Sequence, residues 1–367
     1  MIPAFPTDSA SIQARIEAID PQQYSRTRND VLGKVTYLSP YISRGAISTR
    51  TVWQHIRERG YPFALTESLL KELLWRDYFQ QVARYRDIEE DIRQPQSGVR
   101  HHQIPVAIVE ANTGIRGVDS GLQQLMQTGY MHNHVRMYVA SLCCNIAGAH
   151  WKMPARWMYY YLLDGDPASN FCSWQWVAGS NSSKKYYANQ ENISQYTHEI
   201  QTGTYLDVSY EQLPIMKVPD ELRETIGWQA QTELPASDTI RLDPILPTLL
   251  YNYFQLDRNW HAEEPANRIL LLEPDWFAAW PVHARNIAFL ISLAREIPGI
   301  QIFTGSFDEF IQQYQPAKVI YKEHPSARHY RGEEEPRDWI CPEVDGYFPS
   351  FFSYWKKVSR YLLKSTA

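Results

Sequence analysis

Four stretches of the chain hold residue types that could do chemistry. In GYMHNHVRMYVASLCCNIAG (129–148), Asn133, Arg136, Met137, Ala140 and Cys144 recur at helical spacing, opposite an apolar face of Val135, Tyr138, Val139, Leu142 and Ile146. An amide, a guanidinium and a thioether on one stripe suit the wall of a polar cavity. The plainer reading is a helix buried on both sides around a structural arginine ion pair. In LLDGDPASNFCSWQW (162–176), Asp166-Pro167 reads as a helix cap followed by proline at the first helical position. That places Asp164 and Asp166 at a helix start and puts Asn170 and Trp174 one turn apart on its face. Two carboxylates near an arginine-bearing helix suggest a buried Arg136–Asp164 pair, which is costly unless fully hydrogen-bonded. An aspartate pair alone could serve metal or acid–base work, but the tryptophan-rich surroundings fit neither.

In LLKELLWRDYF (69–79), Glu72, Trp75, Arg76 and Phe79 share one helix face, either a cavity wall or a surface ion pair beside a core tryptophan. Finally Tyr24, Arg28 and Asn29 precede VTYLSPYISRGAIS (35–48). There Thr36 and Ser39 stand just before Pro40, at a helix start. Hydroxyls and free N–H groups at such a start suit phosphate, and a simple cap is the plainer alternative.

Helical periodicity around 46–58, 66–83, 103–111, 119–148 and 154–163 makes residues 1–205 a mainly helical domain. Residues 206–265, broken by LPIMKVP and DPILP, read as a connector. Residues 266–367 read as a small α/β domain. Strands at 268–272, 300–304 and 318–322 alternate with helices at 282–296 and 306–315, a pattern that predicts a parallel sheet with right-handed crossovers, before a last helix at 350–364. No GxGxxG dinucleotide fingerprint accompanies it.

The 367 residues are enough for about two domains. Net charge is −5, with 20 Lys and Arg against 18 Asp and Glu over residues 1–200, so a polyanion could meet only a local patch of that half. No apolar run of about 18 residues exists to span a membrane, and the N-terminus lacks the apolar stretch of a secretion signal. Cys143, Cys144, Cys172 and Cys341 form no CxxC pair, which argues against a disulfide framework, a zinc ribbon or an iron–sulfur cluster and makes a reducing cytoplasm the simplest home. His324 and His329 in HPSARHYRG are five apart with no third ligand, so no metal site is expected.

Taken in order, YLSPYISRGAIS, KELLWRDYF, TGIRGVDSGLQQLMQTGYMHNHVRM and LLDGDPASNFCSWQW resemble the flavin-binding domain of the photolyase/cryptochrome family, over roughly residues 20–190. The resemblance implies a helical domain holding FAD folded back on itself. Light-excited reduced flavin would pass an electron to a DNA lesion and recover it, with the protein supplying placement and electrostatics. By resemblance, Tyr24, Thr36, Leu38, Ser39 and Arg76 fall at phosphate and ribityl contacts, Arg136 and Asp164 brace the flavin edge, and Asp166 bonds nearby. Asn170 would face flavin N5, and Trp174 and Trp151 match the proximal and middle members of an electron relay. Glu72, Trp75, Asn133, Met137 and Trp176 match positions that contact a flipped cyclobutane pyrimidine dimer.

The resemblance has departures. His134 stands where many members have arginine, and Phe171, Cys172 and Ser173 replace Asn-Gly-Gly. The distal relay position, near Gly98–Arg100, has no aromatic residue; Trp157 and Tyr159–Tyr161 could stand in or simply pack. The α/β segment follows the flavin domain instead of preceding it, as in a permuted or short member, and leaves any antenna chromophore open. The expected function is light-driven repair of pyrimidine dimers in DNA, single strands included. Arg44, Arg50, Lys184 and Lys185 are candidate phosphate contacts. The alternatives are a cryptochrome-like photoreceptor that signals through a protein partner, and a flavin-binding remnant without photochemistry.

Overall fold

The computed structural model describes residues 4–364. Helices come first: α1 (Ser9–Glu17), α2 (Pro21–Thr27), α3 (Ser39–Ser43), α4 (Thr49–Glu58) and the long α5 (Phe63–Tyr85). They continue through α6 (Val106–Val109), α7 (Arg116–Thr128), α8 (Asn133–Ser141), α9 (Lys152–Tyr161), α10 (Pro167–Ala178) and α11 (Gln190–Thr197). Local chemistry sets their starts. Asp20 accepts from Gln22 N and Gln23 N ahead of Pro21, Ser48 accepts from Thr51 N, and Asp166 accepts from Ser169 N ahead of Pro167. The periodic run expected over 119–148 is divided in two. Gly129 ends α7 with φ +76°, and a Cβ there would lie 2.7 Å from Leu163, so only glycine fits the turn. After α8 a π-helical turn, Leu142–Ile146, shifts the register before α9.

A two-residue pair, β1 (Ile104–Pro105) with β2 (Thr225–Ile226), clips the following segment to the helical part. The parallel sheet holds β3 (Thr248–Tyr251), β4 (Asn267–Leu272), β5 (Ile300–Thr304), β6 (Val319–Lys322) and β7 (Glu333–Glu335) in the order β5-β4-β3-β6-β7. Helices α12 (Pro274–Ala279), α13 (Ala284–Ala294) and α14 (Phe307–Tyr314) lie between its strands, and α15 (Phe351–Lys364) ends the described chain. Three strands and three helices stand where the periodicity put them. The central strand β3 does not: it lies inside 206–265, the stretch read as a connector. Its four residues are all buried but follow Pro247 directly, too short a run between proline-bearing segments to show a period.

The two halves interlock. Arg44, 1% exposed, lies under Tyr253 just past β3, its guanidinium 3.7 Å from the ring centroid, and donates to Gly165 O of the helical part. Arg337 donates to Gln80 Oε1 of α5 at 2.7 Å and to Glu323 past β6. Asp77 of α5, wholly buried, accepts from Thr49 Oγ1 of α4 at 2.8 Å and from Ile340 N at 3.1 Å. Helix α15 then lies back along α5.

Burial raises the Asp77 carboxyl from 3.8 to about 6. The folded state therefore holds this proton more tightly than the unfolded chain. The stabilisation is full below the unfolded value and is lost as pH rises through the folded one. Asp77→Asn keeps an acceptor for Ile340 N and carries no charge. Its stability relative to wild type is expected to rise by up to about 3 kcal/mol between about pH 4 and pH 7. Urea unfolding across that range checks this; a constant difference would count against it.

Candidate functional site

The loop 163–167 is where the helices converge. Asp166, 2% exposed, caps α10 through Oδ1 (Ser169 N, 2.7 Å), while Oδ2 accepts from Gln80 Nε2 at 2.6 Å and Arg76 NH2 at 3.2 Å. Arg76 NH1 donates to Ser43 Oγ, which itself donates to Asp164 O. The sequence placed Arg76 and Asp166 among the flavin contacts. In the structure both are committed to joining α3, α5 and α10, so their principal work is positioning.

Asp164 differs. Its Oδ2 accepts from Arg136 NH2 of α8 at 2.9 Å, and Arg136 Nε donates to Met131 O. The expected pair is therefore formed. Asp164 Oδ1 is buried with no hydrogen-bond partner. One turn into α10, Asn170 Nδ2 donates to Ala155 O at 2.8 Å, which leaves its Oδ1 as an unused acceptor. Asn133, Arg136 and Met137, on one stripe of α8, are the less buried part of that otherwise buried helix.

Tyr24, Glu72 and Arg28 join this cluster from the other side. Arg28, capping α2, forms an ion pair with Glu72 of α5. Burial raises the Glu72 carboxyl against the opposing pull of Arg28, and burial and the nearby Glu72 raise the Tyr24 phenol. Tyr130 links the two sides. It affects the ionisation of Tyr24, feels Arg136 and Asp164, and packs against Tyr37 with ring centroids 5.3 Å apart. The loop holding Thr36, Leu38 and Ser39 thus borders the same cluster. Thr36 Oγ1 accepts from Leu38 N, Leu38 is buried, and Ser39 opens the five-residue α3 without a side-chain cap.

Two expected substrate residues have different surroundings. Trp176 is 36% exposed on α10 and open for stacking. Trp75 is not: Phe351 of α15 lies face to face with it, with centroids 3.9 Å apart and planes at 11°. Nearby, Trp355 stacks on Phe63, and Tyr78 OH donates to Phe348 O. One face of the Trp75 indole is therefore taken by the chain itself.

Of the relay candidates, Trp151 is wholly buried at the start of α9 and packs edge-on to Phe171 at 5.1 Å; Trp174 is buried on α10. Trp157 packs against Tyr161, and Tyr160 against Trp228 and His283, as the packing alternative held. His134 is buried with Nδ1 on Asn29 O, and burial lowers its basicity, so it supplies no open positive charge. Arg44 is an interior residue and not a phosphate contact; Arg50 and Lys184 remain exposed, while Lys185 donates to Ser97 O. His329 bonds Glu273, and His324 stacks on Phe254, which separates the two histidines. Sequence reading missed Gln80, which the Arg76–Gln80 helical spacing could have signalled. It also missed Phe351, Tyr130 and Asp91, whose partners lie far away along the chain.

A sequence profile of the FAD binding domain of DNA photolyase matches residues 69–211. Over that stretch the chain is similar to the photolyase/cryptochrome family. It is 32% identical over 217 residues to a deoxyribodipyrimidine photo-lyase of Alkalihalophilus pseudofirmus, covering 57% of this chain and 44% of that protein. With cryptochrome DASH of Danio rerio it shares 32% over 170 residues, covering 42% and 32%. Among solved structures, a Synechocystis cryptochrome superposes with a TM-score of 0.47 at 27% identity, over 54% of this chain and 45% of that one. The chain spans less than half the length of these family members.

Removing Arg136 would leave the Asp164 carboxylate buried without its counter-ion. Arg136→Ala is expected to lower stability by about 3 kcal/mol. Chemical denaturation measures this, and a loss within about 0.5 kcal/mol, as at an ordinary surface site, would contradict a buried pair.

Proposed function

We propose that the helical part binds FAD and uses it for light-driven repair of cyclobutane pyrimidine dimers in DNA. The observation that carries this reading is the unpartnered, buried Oδ1 of Asp164. It lies beside Arg136, in the loop that leads into α10, which carries the free Oδ1 of Asn170, within a cluster that also holds Tyr24 and Glu72. A flavin ring edge offers N–H donors and carbonyl acceptors, and this set supplies two acceptor oxygens and a guanidinium, so the residues fit the group.

Bound FAD would supply light-driven electron donation to the dimer and take the electron back. The side chains do the rest. Arg136 and Asp164 orient the ring edge, and Asn170 offers its acceptor beside it. Tyr24, Thr36, Leu38 and Ser39 line the adjoining loop side, with hydroxyl and backbone groups suited to phosphate. Arg76 and Asp166 hold those elements together. Burial raises the Glu72 carboxyl against the pull of its Arg28 ion pair, and this pair would hydrogen-bond a base edge and steady the charge that develops there. Asn133, Met137 and Trp176 would border the extruded lesion, and a dimer that is already poorly stacked lowers the cost of extrusion.

One observation favours a second reading. Phe351 occupies the Trp75 face that a base would need, which suits a photoreceptor whose α15 answers to a protein partner.

An anaerobic assay with pre-reduced flavin separates the two readings. The substrate is an oligonucleotide carrying one thymine dimer, single- or double-stranded, under blue light with a dark control. Light-dependent dimer loss is expected, and Glu72→Ala should lower its rate at least tenfold or so while FAD stays bound. Phe351→Ala is expected to raise the rate by freeing Trp75. No dimer loss in either wild type or Phe351→Ala, with FAD bound and reduced, would reject repair.

A further inference from the structure

Trp151 is wholly buried, and its indole N–H is not left idle. It donates to Asp91 Oδ1 at 2.8 Å. The same carboxylate's Oδ2 accepts from Gln96 N at 2.9 Å, and Gln96 Oε1 accepts from Trp151 N at 2.9 Å. These three bonds close a ring that fixes the carboxylate against the indole. The segment bearing Asp91 is itself tied to α10: Ile92 N donates to Gln175 Oε1, and Gln175 Nε2 donates to Ile88 O and Glu90 O. Elsewhere near the site the pattern is different. Trp174 Nε1 has no hydrogen-bond partner among the described residues, and Trp157 Nε1 is buried with none. Among the described residues the other indole–carboxylate bond runs from Trp260 to Glu335 of β7, a carboxylate that also binds His261.

A buried indole can be anchored by a carbonyl or a water, so a preorganised carboxylate calls for a further reason. An indole that has lost an electron becomes a strong acid at its N–H, and a carboxylate already in line takes that proton with little rearrangement. We propose that Asp91 is the proton acceptor for oxidised Trp151, which makes Trp151 the end of the relay. This rests on the flavin reading above. Bound oxidised flavin would supply the light-driven oxidant, and the resulting vacancy would settle on Trp151. The Nε1–H bond then breaks and an O–H bond forms on Asp91. That leaves a neutral indole radical and a neutral carboxylic acid. The electron can return only together with the proton, so the charge separation is prolonged. An external thiolate then supplies one electron at a distance and becomes a thiyl radical, while Asp91 returns its proton to the indole nitrogen.

The arrangement compensates for the missing distal aromatic near 98–100. The other ionisable groups around Asp91 are His150, whose ring centroid lies 5.4 Å from that of Trp151, with His102 stacked on it, and Lys152, which is held by Glu89 and Glu90. None of them bonds the indole nitrogen.

Flash photolysis of the FAD-loaded chain, oxidised and without DNA, tests the proposal through the distinct absorption of cationic and neutral tryptophan radicals. In wild type the cation is expected to give way to the neutral radical, more slowly in D2O than in H2O. Asp91→Asn should slow that step about 100-fold, Asp91→Glu should restore most of it, and Trp151→Phe should remove the signal. Equal FAD content in the variants shows that the fold is kept, and in the dark the Trp151 indole N–H resonance should shift in Asp91→Asn. A radical that loses its proton equally fast in Asp91→Asn overturns the proposal and leaves the flavin reading standing. No tryptophan radical in FAD-loaded wild type overturns the relay itself.

Discussion

The structure depends on one buried carboxylate that joins three helices. Asp166 starts α10 through Ser169 N and binds Arg76 and Gln80 of α5 on its other oxygen. Helix α10 carries Asn170 and Trp174, and α5 carries Glu72 and Trp75, so this residue sets how the two faces of the site meet. Gln80 then passes the constraint on by accepting from Arg337 of the α/β part. A buried charge of this kind is tolerated because both oxygens are hydrogen-bonded and one faces the Arg76 guanidinium. Asp164, two residues earlier, is in the opposite state. It has one oxygen on Arg136 and the other unmet.

The α/β part does more than follow the helical one. Its strand ends meet the helical part through Arg44, Arg337 and Asp77, and α15 returns to cover α5. The same helix that completes the packing of α5 places Phe351 on Trp75. Stability and access are therefore in tension at one ring. A site that admits a large, flat substrate must give up a stacked aromatic pair, worth about 1 kcal/mol beyond its buried area, and recover it from the substrate.

What could be read in the sequence follows the range of each interaction. The Asp166-Pro167 helix start, the Arg136–Asp164 pair, and the strands at β4, β5 and β6 depend on near neighbours or a clear period, and they were legible. The ordered motifs also carried the family. The central strand β3 was not legible, because four residues after a proline show no alternation. Nor was the saturation of Asp166, since the sequence gives a carboxylate's presence but not its partners. Arg44 looked like a surface cation and is an interior one, because its cover, Tyr253, lies in the other half of the chain. Phe351 on Trp75 and Asp91 on Trp151 likewise join residues with no local signal between them.

The central claim is that the unmet oxygen of Asp164 and its neighbours hold a flavin. The most direct measurement is the flavin content of the purified chain after removal and re-addition of FAD, with Asp164→Ala alongside. The account predicts equimolar, tightly held FAD in wild type and clear loss in the variant, with both chains folded by circular dichroism. A folded wild type that takes up no FAD, or an Asp164→Ala chain that holds it equally well, would contradict the account.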